Sequence, residues 1–252
     1  MTLDAVRRPL LGIGTITPSG NVVVERVTTG VLAAFPDVSA HYSRVEVTGS
    51  SDAYPTDYDW DAMLGAARLL ADARPASLCW NGSRGGSFGF DVDRKLCALI
   101  TERTGIPSTT ATLAVDAAFR AGGYRRIGLV TPYRPAYIAK IPPVFAAAGY
   151  EIVTEAHAGL SDNLSYALLP DADIVGMIRT VAAHDVDVVL TFCTNLPAAH
   201  LVDAMERETG KPVIDSASAG VWAALRLAGQ PTAPGRAWGS LFGRDVPTDA
   251  LT

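Results

Sequence analysis

Short matches recur along this chain at a single offset of 114 residues, and nothing else in the sequence constrains its folding as much. Ile13-Gly14 returns as Ile127-Gly128, and Thr17-Pro18 returns as Thr131-Pro132. Asp57-x-Asp59 returns as Asp171-x-Asp173, Met63 as Met177, and Cys79-x-Asn81 as Cys193-x-Asn195. Five matches at one spacing point to an internal duplication, so the chain is read as two similar halves. Within each half, short apolar runs alternate with helical patterns. Leu10 to Ile16, Ala76 to Trp80, Arg126 to Val130 and Val186 to Phe192 read as strands. Asn21 to Phe35, Asp57 to Ala73, Ala111 to Ala121, Pro135 to Ala148 and Ala219 to Ala228 read as helices. That alternation is the pattern of βα units and parallel sheets. The expected fold is α/β, with two pseudo-symmetric halves, each a short parallel sheet flanked by helices, and an active site in the cleft between them. Residues 1–115 with 217–252 are assigned to the first half and 116–216 to the second.

Composition removes several function classes. Of 252 residues, 48% are hydrophobic and 19% charged, too apolar a chain to stay disordered. The net charge of −5 argues against nucleic acid, whose phosphates select basic surfaces. No apolar run reaches the roughly 20 residues needed to span a bilayer. Met1 to Pro9 is polar and lacks the apolar core of a signal peptide, so a cytoplasmic location is expected. The histidines are scattered with no ligand spacing, so no metal and no cofactor are expected.

Three cysteines remain to be explained. None forms a CxxC pair, and free thiols are expected. Cys97, inside Leu96-Cys97-Ala98-Leu99, reads as a core residue. Cys79 and Cys193 each follow a buried strand, where ligand sites of open α/β sheets gather. If the halves face each other, both thiols enter one cleft. Helix N-termini starting near Ser19, Ser83, Tyr133 and Leu196 would then favour an anion and pull the thiol pKa toward neutrality. The plain alternative is that both are buried hydrophobes, as most lone cysteines are.

The ordered pieces Thr17-Pro18-Ser19-Gly20-Asn21, Cys79-Trp80-Asn81-Gly82-Ser83, Val130-Thr131-Pro132-Tyr133, Asp162-Asn163, Cys193-Thr194-Asn195-Leu196 and Ala219-Gly220-Val221-Trp222 carry a family resemblance. Together they resemble the cofactor-independent Asp/Glu racemase superfamily, in the branch of maleate cis-trans isomerases and arylmalonate decarboxylases. The resemblance implies that Cys79 and Cys193 are the two active-site cysteines. It implies that Asn21, Tyr133 and Asn163 hold substrate carboxylates, with Asn81, Ser83, Thr194 and Asn195 also at the substrate. In maleate isomerases the first cysteine adds to the alkene of the cis-diacid, and rotation and elimination release the trans-diacid. In the decarboxylases the first position is glycine, and the second cysteine alone protonates an enediolate. With both thiols present, the expected activity is maleate-to-fumarate isomerisation. Racemisation of an Asp/Glu-type amino acid and arylmalonate-type decarboxylation are the alternatives among enzymes, and a carboxylate-binding protein is the alternative outside them. The expected partners are a small carboxylate or dicarboxylate substrate and copies of the same chain, as a dimer or tetramer.

The local readings stay open beside these roles. Asn21 also suits a helix cap, Tyr133 a surface turn, and Asn163 a turn in a polar loop. Arg84, in the Gly-rich stretch Gly82 to Gly89, can pair with a carboxylate or simply face solvent. Trp80 and Gly20 depart from the family pattern and bear on which substrate fits. Gly12-x-Gly14 lacks a third glycine for dinucleotide binding, and Ser216-Ala217-Ser218-Ala219-Gly220 is not a nucleophile elbow.

Overall fold

The computed structural model describes residues 11–47 and 56–252. Met1 to Pro9, and Leu10 where the sequence reading begins the first strand, lie outside the described residues. Eight strands form two four-stranded parallel sheets. The first holds β1 (Leu11–Pro18), β2 (Val38–Val45), β3 (Ser77–Trp80) and β4 (Ser108–Thr110) in the order β2-β1-β3-β4. The second holds β5 (Arg126–Tyr133), β6 (Glu151–Leu160), β7 (Val188–Thr191) and β8 (Val213–Asp215) in the order β6-β5-β7-β8. The α/β architecture with two similar sheets is the one expected. The inner strands β1, β3, β5 and β7 are buried almost throughout, as strands covered on both faces must be.

The helices between strands follow local signals. In chain order α1 is Val24–Leu32, α2 Trp60–Ala71, α3 Gly85–Phe88, α4 Phe90–Thr104 and α5 Ala111–Gly122. The second half adds α6 (Pro135–Ile138), α7 (Ile141–Ala147), α8 (Asn163–Ala167), α9 (Asp171–Ala182), α10 (Val202–Thr209) and α11 (Ser216–Leu227). Side-chain caps start four of them: Asp59 accepts from Ala62 N–H, Thr110 from Leu113 N–H, Asp162 from Ser165 N–H, and Asp215 from Ser218 N–H. The stretch Pro135 to Ala148 reads as one helix but folds as two. Pro142 and Pro143 suit the first turn of α7, where their missing N–H groups cost nothing, and not a helix interior. After α11 the tail runs in short 3₁₀ turns at Ala233–Trp238, Ser240–Gly243 and Thr248–Leu251.

The helices α5 and α11 are buried nearly all round. Nine successive residues of α5 and ten of α11 are inaccessible. Both are rich in Ala, and α11 adds Ser and Gly, so backbones approach closely. Although α11 follows β8 of the second sheet, it packs against α5 and against β3 and β4 of the first. Ser77 Oγ donates to the Ala224 carbonyl at 2.7 Å across that contact.

Strand register revises the repeat. Ile13 pairs with Ser77, whereas its counterpart Ile127 pairs with Val188. The first half thus uses 64 residues to reach its third strand and the second uses 61, so equivalent positions from there on stand 111 apart, not 114. The helices α2 and α9, starting at Trp60 and Asp171, keep the same 111 spacing. Only the Ile-Gly and Thr-Pro matches join equivalent places. The Asp-x-Asp, Met and Cys-x-Asn matches straddle a three-residue difference in loop length.

Candidate active site

The carboxyl ends of β1, β3, β5 and β7 meet at a small cleft, partly open to solvent. Of the sequence-predicted residues, Asn21, Ser83, Tyr133, Asn163, Cys193, Thr194 and Asn195 line it. Cys79 and Asn81 do not.

For Cys79 the reason is register. It is the third residue of β3, pairs with Thr15 and Thr109 in the sheet, is 1% exposed and belongs to the hydrophobic core. Its equivalent across the pseudo-symmetry is the core residue Leu190, and the equivalent of Cys193 is Gly82. Matching backbone bonds fix this: Asn81 N–H donates to the Ile16 carbonyl as Phe192 N–H does to that of Val130. Two facing thiols are therefore not what the fold builds. Gly82 and Cys193 reach the cleft at equivalent places. Asn81, one residue earlier, turns away and donates Nδ2–H to the Ala217 carbonyl at 3.0 Å, tying β3 to α11. Cys97 is buried in α4, as the sequence reading had it.

The remaining predicted residues form one polar network. Asn21 Oδ1 accepts from the N–H groups of Val23 and Val24, both at 2.9 Å, and its Nδ2 donates to Thr194 Oγ1 at 3.2 Å. It is thus a cap and a cleft residue at once. Asn195 Oδ1 accepts from Val22 N–H at 2.9 Å, and its Nδ2 donates to the carbonyls of Asn163 and Gly20 at 2.5 and 3.4 Å. Asn163 Nδ2 donates to the Val47 carbonyl at 2.9 Å. A Cβ on Gly20 would lie 2.8 Å from that same Nδ2, so a side chain there would have to displace the Asn163 amide. Ser83 Oγ and Tyr133 Oη share a hydrogen bond of 2.9 Å across the two halves.

Four participants escaped the sequence reading. Tyr137 and Tyr166 line the cleft and pack edge-on against Tyr133, with ring centroids 4.6 and 5.5 Å away. The four-residue step from Tyr133 to Tyr137 is the signal for one of them; Tyr166 lies in α8, an element too short for periodicity to reveal. Arg44 donates to the carbonyls of Ser19 and Asn21, each at 3.0 Å, and so holds the Thr17 to Asn21 turn. Gly82 stands in the sequence only as one glycine of a Gly-rich stretch, within which Gly85–Phe88 folds as α3.

Electrostatically the lining suits an anion. It offers hydroxyls, amides and the guanidinium of Arg84, and no lining residue is a carboxylate. Burial pushes the Cys193 thiol up to about 11, although the Tyr133 hydroxyl and the N–H groups of Asn195 and Leu196 act in the opposite direction. The expected pull toward neutrality is thus reversed. No long helix starts at Leu196, and desolvation outweighs the few local donors. Burial and the nearby Asp93 carboxylate raise Cys79 further. Tyr133 is held well above its ordinary value by burial and remains a hydrogen-bond donor. Among the described residues no three His, Cys, Asp or Glu side chains gather where a metal ion could sit.

Residues 61–242 match the family model for arylmalonate decarboxylase, which covers most of the chain. The chain belongs to this family. Arylmalonate decarboxylase of Bordetella bronchiseptica is 31% identical over 235 residues, covering 92% of this chain and 83% of that protein. Maleate isomerase of Nocardia farcinica is 27% identical over 237 residues, covering 88% and 91%. Among solved structures, unliganded arylmalonate decarboxylase superposes with a TM-score of 0.76 at 27% identity, over 93% of this chain and all of that one. A Nocardia farcinica maleate cis-trans isomerase variant with a covalently bound succinylcysteine intermediate shares the fold, with a TM-score of 0.83 at 24% identity over 94% of this chain and all of that one. The relatives thus include enzymes named for isomerisation and for decarboxylation, and this chain resembles both.

Proposed function

We propose that the protein is a cofactor-independent enzyme that transforms a small dicarboxylate through one thiol, that of Cys193. The observation that carries this reading is the position of Cys193 in the cleft, beside the Tyr133 hydroxyl and among neutral donors and Arg84, with no carboxylate to repel the substrate. Asn21, Ser83, Tyr133, Asn163, Thr194 and Asn195 hold the carboxylates in this reading.

The relatives named maleate isomerase support cis-trans isomerisation of maleate. In a single-thiol form of that reaction Cys193 takes the part of the first cysteine: its thiol passes its proton to solvent, and the thiolate adds to one alkene carbon. The π pair moves to the neighbouring carbon and is delocalised into its carboxylate. Rotation about the new single bond is followed by cleavage of the C–S bond, which restores the alkene as fumarate and frees the thiolate. A specific observation favours a second reading, decarboxylation of an arylmalonate-like diacid. Gly82 occupies the place equivalent to Cys193, and burial keeps the thiol protonated at neutral pH. Here the C–CO₂ bond breaks, its electron pair becomes an enediolate held by the donors, and Cys193 gives its proton to the α-carbon. Solvent then reprotonates the sulfur.

Proton NMR in heavy water separates the two. Fumarate forming from maleate marks isomerisation; a product with one α-deuteron from phenylmalonate marks decarboxylation. Cys193→Ser is expected to lower either rate by about 10²-fold or more, the scale of a lost proton-transfer or nucleophilic group, with Cys79→Ser within about threefold of wild type. Equal losses in both variants would overturn the single-thiol reading. Three free cysteines suit a reducing cytoplasm, and exposed Val22, Leu164 and Leu168 suit association with a second copy, which light scattering would detect. No helix among the described residues is long and apolar enough to cross a membrane.

A further inference from the structure

The strand β3 ends on Trp80, whose indole is buried yet lines the cleft. A chain of buried groups fixes its orientation. Trp80 Nε1–H donates to Tyr58 Oη at 3.1 Å, and Tyr58 Oη–H donates to Asp93 Oδ1 at 2.7 Å. Asp93 Oδ2 accepts from Thr110 Oγ1. Tyr58 also packs edge-on to the indole and to Phe88, with centroids 6.1 and 5.0 Å apart. A carboxylate this deeply buried persists because it is hydrogen-bonded, and in accepting it orients the phenol that orients the indole.

The indole lies directly over Gly82. A Cβ added at residue 82 would come within 2.3 Å of Trp80 Cζ2 and 2.5 Å of Cε2, and neither atom belongs to a flexible tip. Over-packing of this kind forces side chains off their rotamers or shifts the backbone. Gly82 is also the residue whose place matches that of Cys193.

We propose that Trp80 is a specificity-determining residue. Held by Tyr58 and Asp93, its indole keeps position 82 free of any side chain, limits the cleft to one thiol, and sets how large a substituent the substrate can carry at its reacting carbon. The substrate arm of this inference rests on the single-thiol dicarboxylate reading; the steric arm does not.

Two measurements test it with Trp80→Phe, Gly82→Ala and the double variant. Phenylalanine keeps a ring but lacks the outer indole atoms that press on Gly82. In thermal melts, Gly82→Ala is expected to lower Tm by roughly 5 °C or more, or to block folding. Adding it to Trp80→Phe should cost less than half as much. Strictly additive losses, or a double variant no better folded than Gly82→Ala, would overturn the steric claim. In kinetics, the kcat/KM ratio of phenylmalonate to methylmalonate, or of methylmaleate to maleate, should rise at least tenfold in Trp80→Phe. A purely structural tryptophan would lower both members of a pair together, and a ratio within twofold of wild type overturns the specificity claim. If wild type turns over neither pair, the functional reading has failed, and the melts still decide the steric arm.

Discussion

In the proposed reaction Cys193 acts from a thiol that burial pushes up to about 11. A group of that pKa is almost wholly protonated at neutral pH, so its pH profile reports its role. A proton donor predicts kcat/KM flat through neutrality and falling only as pH nears 11. A tenfold rise per pH unit between 7 and 9 would instead identify the thiolate as the attacking species. Asn21 permits a second prediction, because its carbonyl oxygen caps α1 while its amide nitrogen faces Thr194. Asn21→Asp keeps the cap, and an acid at a helix N-terminus is favourable. Stability should change by less than about 1 kcal/mol in urea unfolding. The same substitution places a negative charge among donors meant for carboxylates, so KM for the diacid should rise at least tenfold. Equal damage to stability and binding would mean that Asn21 is only a cap.

At the scale of elements, the joint between β3 and α4 buries a carboxylate. Asp93 in α4 is fully buried, and desolvation raises its pKa from the usual 3.8 to about 6 despite hydrogen bonds from Thr110 and Tyr58 and the charge of Arg94. An acid whose folded-state pKa is raised binds its proton more tightly in the folded state. Its stabilising contribution is therefore present at low pH and is lost as pH rises from about 4 to 6. A difference of this size corresponds to about 3 kcal/mol. Asp93→Asn cannot ionise. The stability of wild type minus that of the variant should shrink by about that amount between pH 4 and 7 and stay level above. A margin that widens with pH would contradict the burial argument. Asp215 at the start of α11 is raised to about 6 by burial as well, so the background slope has the same sign there. Asp59, Thr110 and Asp215 cap their helices through residues one or two positions from each helix start, a purely local device. The joint itself is not local, because Tyr58 and Asp93 lie 35 residues apart and meet only through packing.

Over the whole molecule, the halves are joined both at the cleft and beneath it. Asn195 of the second half bonds the backbone of Val22 and Gly20 in the first, and α11 lies along β3. Asn195→Ala should cost about 1 kcal/mol in urea unfolding, since it leaves part-buried backbone groups without their side-chain partner, and it should raise KM by loosening the cleft wall. A variant with unchanged KM would mean that the tie is purely structural. What the sequence determined by itself was local: the βα alternation, the Asn21 cap, and, through ordered motifs that resemble a family, the polar residues at strand ends that line the cleft. Those depend on periodicity and residue chemistry over a few positions. The number of thiols in the cleft was decided by tertiary structure. A three-residue difference in loop length moves Cys79 into the sheet interior and brings Gly82 to the cleft in its place. Strand register is set by pairing partners more than 60 residues apart in sequence, and no local spacing encodes it.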